Sequence, residues 1–364
     1  MGLDVVELGR ENLRIDEAGF AAAIRAIGRH MRADALVILE STVPVGTCEH
    51  VVAPLLAEER GRRGIVEPAA LAHAYERVTP GPRYVDSIRN FHRVFAGTSP
   101  DAAARARAFL SAVVDTEAFP LAELADTPSS EMAKLLENSY RAVNIAFIHE
   151  WTLMAERVGV DLFAVIDAIR RRRGTHDNIR QPGFGVGGYC LPKDAVLAQW
   201  AADNYYGGDV ALDLTLRALG VNAAMPRHTF ALTREVMDGA LAGRTVAVLG
   251  VSYLADVADT RNAPAAVLVD ELRAAGARIA VHDPVVETWP ERADMKVERD
   301  VAKVLGAADV VVLAVAHGAY RELDAEKLLA LSAGHAAFVD AANLIDDDQA
   351  ATLARAGRRI IGVG

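Results

Sequence analysis

Cys190 closes a glycine-rich run, Gly183-Phe-Gly-Val-Gly-Gly-Tyr-Cys-Leu-Pro-Lys-Asp194. Glycines at 183, 185, 187 and 188 let a backbone approach a ligand closely, and their N–H groups suit an anion or an oxyanion. Lys193 and Asp194 follow at once. A cation beside a thiol lowers its pKa and favours the thiolate. A carboxylate beside it orients water or acts as a base. Pro192 stiffens the turn between them. This company marks Cys190 as an enzyme-type active-site cysteine, whereas Cys48 has no such neighbours and reads as a buried structural thiol.

Bulk properties narrow the classes. A chain of 364 residues implies two or three domains, and 52% hydrophobic with 24% charged residues is a globular composition. The net charge of −10 disfavours nucleic acid and anionic membrane as partners, while leaving room for an anionic substrate in a locally basic pocket. With only two cysteines a disulfide scaffold is excluded, and a cytoplasmic setting is expected. The start, Met1-Gly-Leu-Asp-Val-Val-Glu-Leu, does not read as a signal peptide, and no apolar run approaches the roughly 20 residues of a membrane span. The ten histidines show no metal-binding spacing, so no metal is expected.

The elements that must position Cys190 alternate in both outer thirds. Glu17–Arg32 reads as an amphipathic helix, 36–39 as a buried strand, Ser41–Thr47 as a turn and 51–60 as a helix. Further strands are expected at 70–75, 93–96 and 116–119. The middle third is helical: Thr127 reads as an N-cap, with Pro128 at the first helical position. The helix continues through Met132, Leu136, Phe147, Trp151 and Met154. Its apolar residues nearly encircle it, predicting a buried helix or an oligomer spine. Lys134, Asn138 and Arg141 fall on its opposite stripe, where a buried lysine needs a partner or a role. Strands at 245–249, 278–282, 309–315, 337–340 and 359–362, with a helix over 264–275, read as a doubly wound sheet. The expected fold class is α/β, with two Rossmann-like doubly wound sheets, the N-terminal one truncated, joined by a long central helix and helical domain. The boundaries are 1–122, 123–225 and 226–364. Gly250 and Asp283 lack spaced glycines and are assigned to the fold rather than to a cofactor.

The segment Gly185–Asp194 resembles the catalytic segment of the nucleotide-sugar 6-dehydrogenases, which act on UDP-glucose, GDP-mannose and UDP-N-acetylmannosamine; the last are the closest in character. Ser41-Thr-Val-Pro-Val-Gly-Thr47 is similar to the family's cofactor-side turn, and Tyr75-Glu-Arg-Val-Thr-Pro-Gly81 to its Pro-Glu-Arg-x-x-Pro-Gly segment. Glu131–Arg141 resembles its central helix, and Gly250-Val-Ser-Tyr with Asp259-Thr-Arg261 and Pro264 its C-terminal opening. The resemblance implies a two-step NAD-dependent oxidation of a UDP-sugar C6 alcohol to the uronic acid. Cys190 would form a thiohemiacetal and then a thioester. Lys134 would stabilise the oxyanion, with Asn138 helping to orient it. Asp194 would position water or act as a base, Thr42 would lie near that water, and Glu76 would serve in hydrolysis. Thr42, Lys193 and Arg261 match positions near NAD, and Gly185, Gly187 and Gly188 match the substrate side. A homodimer through the central helix is expected.

The pattern is not complete. No strand, Gly-x-Gly-x-x-Gly turn and helix in succession open the chain, which begins near what would be the fourth strand of the NAD-binding domain, so a missing N-terminal βαβ and an incomplete NAD site are expected. Tyr253-Leu254 stands where the family has Phe-Lys, and Ala342 where it has an arginine two residues after Asp340; Arg180 is a candidate to compensate. The alternative reading is a non-catalytic or split-chain relative that binds a nucleotide sugar or a partner but cannot hold NAD alone.

Overall fold

The computed structural model describes residue 15, residues 17–81 and residues 83–364. The reading of Met1–Leu8 lies outside the described residues. In chain order the elements are α1 (Ala18–His30), β1 (Leu36–Leu39), a wide helical turn over Cys48–Val52, α2 (Ala53–Gly61), β2 (Ala70–His73), α3 (Tyr84–Arg89), β3 (Val94–Gly97), α4 (Pro100–Val113) and β4 (Ala122–Glu123). There follow α5 (Thr127–Val158), α6 (Leu162–Arg170), α7 (Asp194–Tyr205), α8 (Asp213–Val236), β5 (Thr245–Leu249), α9 (Pro264–Ala274), β6 (Arg278–His282) and β7 (Val297–Glu298). The chain closes with α10 (Val301–Gly306), β8 (Val310–Leu313), α11 (Gly318–Arg321), α12 (Ala325–Leu331), β9 (Ala337–Asp340), α13 (Asp347–Arg355) and β10 (Ile360–Gly362). Among the described residues no helix is long and apolar enough to cross a membrane.

These elements form two compact units, one holding the described residues up to Tyr140 with Lys193–Leu216, the other holding Arg141–Pro192 with Arg217–Gly364. The first unit carries a four-stranded sheet in the order β1-β2-β3-β4. β1 and β2 pair in parallel, Leu39 opposite His73, with α2 in the connection between them: a βαβ unit. β2 and β3 are antiparallel. α4 starts where Ser99 accepts the Ala102 N–H and Pro100 sits in the first turn. Gly97, just before it, has no room for a side chain, because a Cβ would lie 2.3 Å from the Ala103 nitrogen. The expected strand at 116–119 is a turn closed by Phe119 N–H to Asp115 O, and the strand itself comes later as β4.

The second unit is built on a six-stranded parallel sheet, β10-β9-β8-β5-β6-β7, the doubly wound order. β5 and β8 flank the switch point and are almost wholly buried, which is why Val246–Leu249 and Val310–Leu313 read as continuous apolar runs. At the carboxyl ends, loops are pinned by aspartates. Asp283 accepts the N–H groups of Val251, Ser252, Val285 and Val286, and Asp340 those of Ala342, Leu344 and Ile345. Asp283 is held at about 2, because its bonds to His317 and the loop N–H groups outweigh the burial that pushes it up.

α5 departs from expectation at its start and in its faces. The cap is Asp126, one residue early, which accepts the Ser129 N–H at 2.8 Å. The buried face is mixed: Ser130, Glu131, Lys134, Asn138, His149 and Thr152 are buried beside Leu135, Ala142, Ala146, Ile148 and Ala155, while Met132, Leu136, Phe147, Trp151 and Met154 are each at least half exposed.

Candidate active site

In the first unit the structure gathers several of the expected side chains around α5. Lys134, 6% exposed, donates to the main-chain oxygen of Glu76 at 2.9 Å and lies 3.9 Å from its carboxylate. Its ammonium stands 5.6 Å from the centre of the Tyr75 ring. One turn on, Asn138 donates to Asp194 Oδ2 at 2.6 Å, and Lys193 Nζ donates to Asp194 Oδ1 at 3.0 Å. Asp194 is fully buried at the first position of α7, where the helix N-terminus also favours a carboxylate. With both oxygens engaged, Asp194 orients Asn138 and Lys193. Glu76 accepts the Val78 N–H, which folds its carboxylate back over its own loop. Thr42 is half-buried in the turn that leaves β1.

Sequence reading missed three groups here. Glu137, three residues beyond Lys134, receives Arg77 at 2.7 Å and the Tyr75 hydroxyl at 3.3 Å. Arg93, 5% exposed, holds the Tyr75 carbonyl at 2.9 Å. Glu131 accepts the N–H groups of Gly46 and Cys48. All three fix the loops after β1 and β2. Their signal lay in the quoted segments themselves: Glu131, Lys134 and Asn138 follow helical spacing, and Arg77 lies beside Glu76. Cys48 is fully buried, and burial with the nearby Glu131 pushes its thiol far up, so it is inert.

In the second unit the Cys190 segment is docked on the turn before α9. Gly188 N–H donates to Arg261 O at 2.9 Å, and Asn262 Nδ2 donates to Gly188 O at 3.0 Å. The glycines are spaces for neighbours within this unit. A Cβ on Gly185 would meet Pro264 at 2.8 Å, and on Gly187 the Asn262 oxygen and Tyr253 at 2.7 Å. At Gly188, whose φ is +80°, it would meet the Tyr253 ring at 2.7 Å. Gly183 has open space. Close approach is thus needed toward Tyr253 and Pro264, a reason the sequence alone did not give. Cys190 is half-buried and free of any disulfide. Arg261 lies 5.4 Å over the Tyr189 ring and pairs with Asp259 at 2.5 Å; its guanidinium is held above the usual value by that bond, with Cys190 among the smaller contributors. Arg180 and Leu254 are exposed, and Ala342 lies in the loop pinned by Asp340.

A buried Ser252–His317–Asp283 cluster lies at the sheet's switch point, but it is no catalytic triad. His317 Nδ1 accepts the Asp256 N–H, so Nε2 carries the proton and faces both Asp283 (3.2 Å) and Ser252 (3.1 Å). A triad needs the serine and the carboxylate on opposite ring nitrogens.

Three models of one family match successive parts of the chain. Residues 10–113 match the NAD binding domain of the UDP-glucose/GDP-mannose dehydrogenase family, 128–223 its central domain and 247–347 its UDP binding domain. The chain is 33% identical over 330 residues to UDP-N-acetyl-D-mannosamine dehydrogenase of Pyrococcus horikoshii, covering 89% of this chain and 73% of that one. The solved structure of the P. horikoshii enzyme superposes with a TM-score of 0.81 at 31% identity, over 96% of this chain and 77% of that chain. That of NDP-N-acetyl-D-galactosaminuronic acid dehydrogenase from Methanosarcina mazei gives 0.84 at 29%, over 98% and 74%. These findings correct the expectation of a missing NAD-binding βαβ. The NAD-binding match includes the β1–α2–β2 unit, which carries no Gly-x-Gly-x-x-Gly turn. The non-catalytic alternative, which rested on that absence together with Leu254 and Ala342, is not favoured. The chain belongs to the UDP-glucose/GDP-mannose dehydrogenase family and is an NAD-dependent nucleotide-sugar dehydrogenase.

Proposed function

We propose that this enzyme oxidises C6 of a UDP-N-acetylhexosamine, of the N-acetylmannosamine type, to the uronic acid, with Cys190 as the covalent nucleophile. Supporting the substrate class are the names of its relatives, UDP-N-acetyl-D-mannosamine dehydrogenase in P. horikoshii and in Campylobacter jejuni. The observation that carries the mechanism is the Cys190 thiol, half-buried and in no disulfide, at the end of a loop tied to Arg261 and Asn262.

NAD, when bound, supplies the acceptor for the two hydrides. The parallel strands β1 and β2 end side by side, and the turns beyond them carry Thr42 and Glu76, the edge at which such sheets take dinucleotides. Thr42 and Lys193, with Arg261 of the second unit, are the side chains we assign to holding it. At the aldehyde level Cys190 Sγ adds to C6, forming a carbon–sulfur bond and an alkoxide. The Lys134 ammonium meets that developing charge, and Asn138, fixed by Asp194, orients the same oxygen. The thiohemiacetal carbon is then oxidised to a thioester. Water adds to it, Glu76 takes its proton, and the Cys190 thiolate leaves as the carboxylate forms. Alcohol, water and two NAD⁺ become carboxylate, two NADH and three protons. Thr42 positions the water, and Gly185, Gly187, Gly188 and Arg180 lie on the substrate side. The protein works as a homodimer through the exposed apolar stripe of α5.

Incubation with UDP-N-acetylmannosamine and NAD tests this directly. Two NADH should form per sugar, and Cys190→Ala should form no uronic acid. Full conversion to the acid by the Cys190→Ala protein would remove the thioester, and no NADH from any UDP-N-acetylhexosamine would remove the substrate class.

A further inference from the structure

Glu131 has no part in the chemistry above, yet it is 1% exposed and spends both oxygens on distant main chain. It accepts the Gly46 N–H at 2.5 Å and the Cys48 N–H at 2.8 Å. These amides close the turn that begins at Ser41 and carries Thr42. On its other side the turn is equally confined. Gly46 has φ +88°, and a Cβ there would lie 2.6 Å from the Tyr206 hydroxyl and 2.9 Å from the His50 ring. His50 in turn stacks on Tyr205 with ring centres 4.6 Å apart. Val45 packs into an apolar cluster with Leu135, Leu197 and Ala201. The turn is therefore gripped between the first turns of α5 and the far end of α7, and the same two helices are joined by Asn138 and Asp194.

We propose that Glu131 is a positioning residue of the active site: by holding the Gly46 and Cys48 amides together it sets the turn that presents Thr42. The proposal rests on the role given to Thr42 above. Burial pushes the Glu131 carboxyl up to about 7, against the pull of the Cys48 and Gly46 N–H groups and with help from Glu49. As a carboxylate it accepts from both amides. A proton on one oxygen adds an O–H donor there and makes that oxygen the weaker acceptor, so its amide is held less tightly. The clamp is thus set and slackened near neutral pH. The titratable groups facing it are the Cys48 thiol and Glu49 on the turn, and Tyr205 and Tyr206 at the end of α7, both phenols being pushed up chiefly by burial and partly by Glu131 itself.

Amide hydrogen exchange of the intact protein, corrected for intrinsic rates, reads the clamp without any substrate. Protection at Gly46 and Cys48 should fall about tenfold from pH 8 to pH 6 in the unmodified protein and show no such step in Glu131→Gln. In turnover, Glu131→Gln should lower kcat about tenfold, leave KM for the nucleotide sugar within about twofold, and lose the acidic limb near pH 7. Protection that does not change with pH in the unmodified protein overturns the proposal. So does a Glu131→Gln enzyme with unchanged kcat and an unchanged acidic limb. A protein that oxidises no UDP-sugar would instead remove the reading of Thr42, while exchange still decides whether the clamp exists.

Discussion

Asn138 and Asp194, on α5 and at the start of α7, are joined by a 2.6 Å hydrogen bond whose acceptor carboxylate also binds Lys193 at 3.0 Å. A fully buried carboxylate persists only with such partners. Asp194→Asn removes the carboxylate charge that the buried Lys193 ammonium meets at 3.0 Å. The expected cost is about 3 kcal/mol of stability by urea unfolding, together with a kcat loss of about 100-fold as Asn138 loses its fixed orientation. In a double-mutant cycle, Asn138→Ala and Asp194→Ala should couple by about 1 kcal/mol; strict additivity would mean that the bond does not hold Asn138 in place.

The glycines of the Cys190 loop differ in what a side chain would meet, and activity should rank accordingly. Gly188→Ala combines a positive φ with a Cβ 2.7 Å from the Tyr253 ring, so the loop must shift. A shift near 1 Å at Cys190 costs on the order of 100-fold in turnover. Gly183→Ala meets nothing within 4 Å and should stay within about twofold of the parent. Equal kcat values for the two variants would show that packing against Tyr253 does not place the nucleophile.

Two buried groups of the first unit pull the pH–stability curve in opposite directions. Burial lowers His73 to about 4, so the unfolded chain binds its proton more readily, and stability is lost as pH falls from about 6.5 through 4. Burial raises Glu131 to about 7, so its contribution is full below about 4.5 and is lost as pH rises through 7. Each is on the order of 3 kcal/mol, and over the shared interval they offset one another. Removing one exposes the other. Between pH 5 and pH 7, His73→Gln should lose stability with rising pH relative to the parent, and Glu131→Gln should gain it. Urea midpoints at the two pH values give the signs, and a shared sign in the two variants would contradict the assignment.

The parallel sheet of the second unit was legible because buried parallel strands write themselves as apolar runs: 245–249, 278–282 and 337–340 match β5, β6 and β9. The residues around Lys134 were legible because a lysine on a helix stripe with Asn138 demands partners. What pairs them was not, since Glu131 and Gly46 lie 85 positions apart and no local pattern records such a contact. The strand expected at 116–119 failed for the opposite reason: its apolar residues are few, and Asp115 captures the Phe119 N–H to make a turn. The NAD-binding domain was underestimated because a single glycine turn stood for a unit whose other marks are β1–α2–β2 and the Ser41–Thr47 turn.

α5 itself supplies the last prediction. α5 buries Ser130, Glu131, Lys134 and Asn138 beside Leu135, Ala142 and Ala146, and leaves a second apolar stripe, Met132, Leu136, Phe147, Trp151 and Met154, at least half exposed. Its exposed Phe147 and Trp151 also line a groove of about 580 Å³ with Ile166 and Ile169. Monomers rarely expose so continuous an apolar surface, and a second copy meeting it along the helix would cover it. Light scattering should give twice 38.9 kDa for the parent. Trp151→Glu combined with Met154→Glu should give a monomer that remains folded by circular dichroism, because neither side chain belongs to the buried stripe. A parent protein that is monomeric at tens of micromolar would refute the dimer. So would a double variant that stays dimeric, because a charge pair placed in an apolar seam costs several kcal/mol.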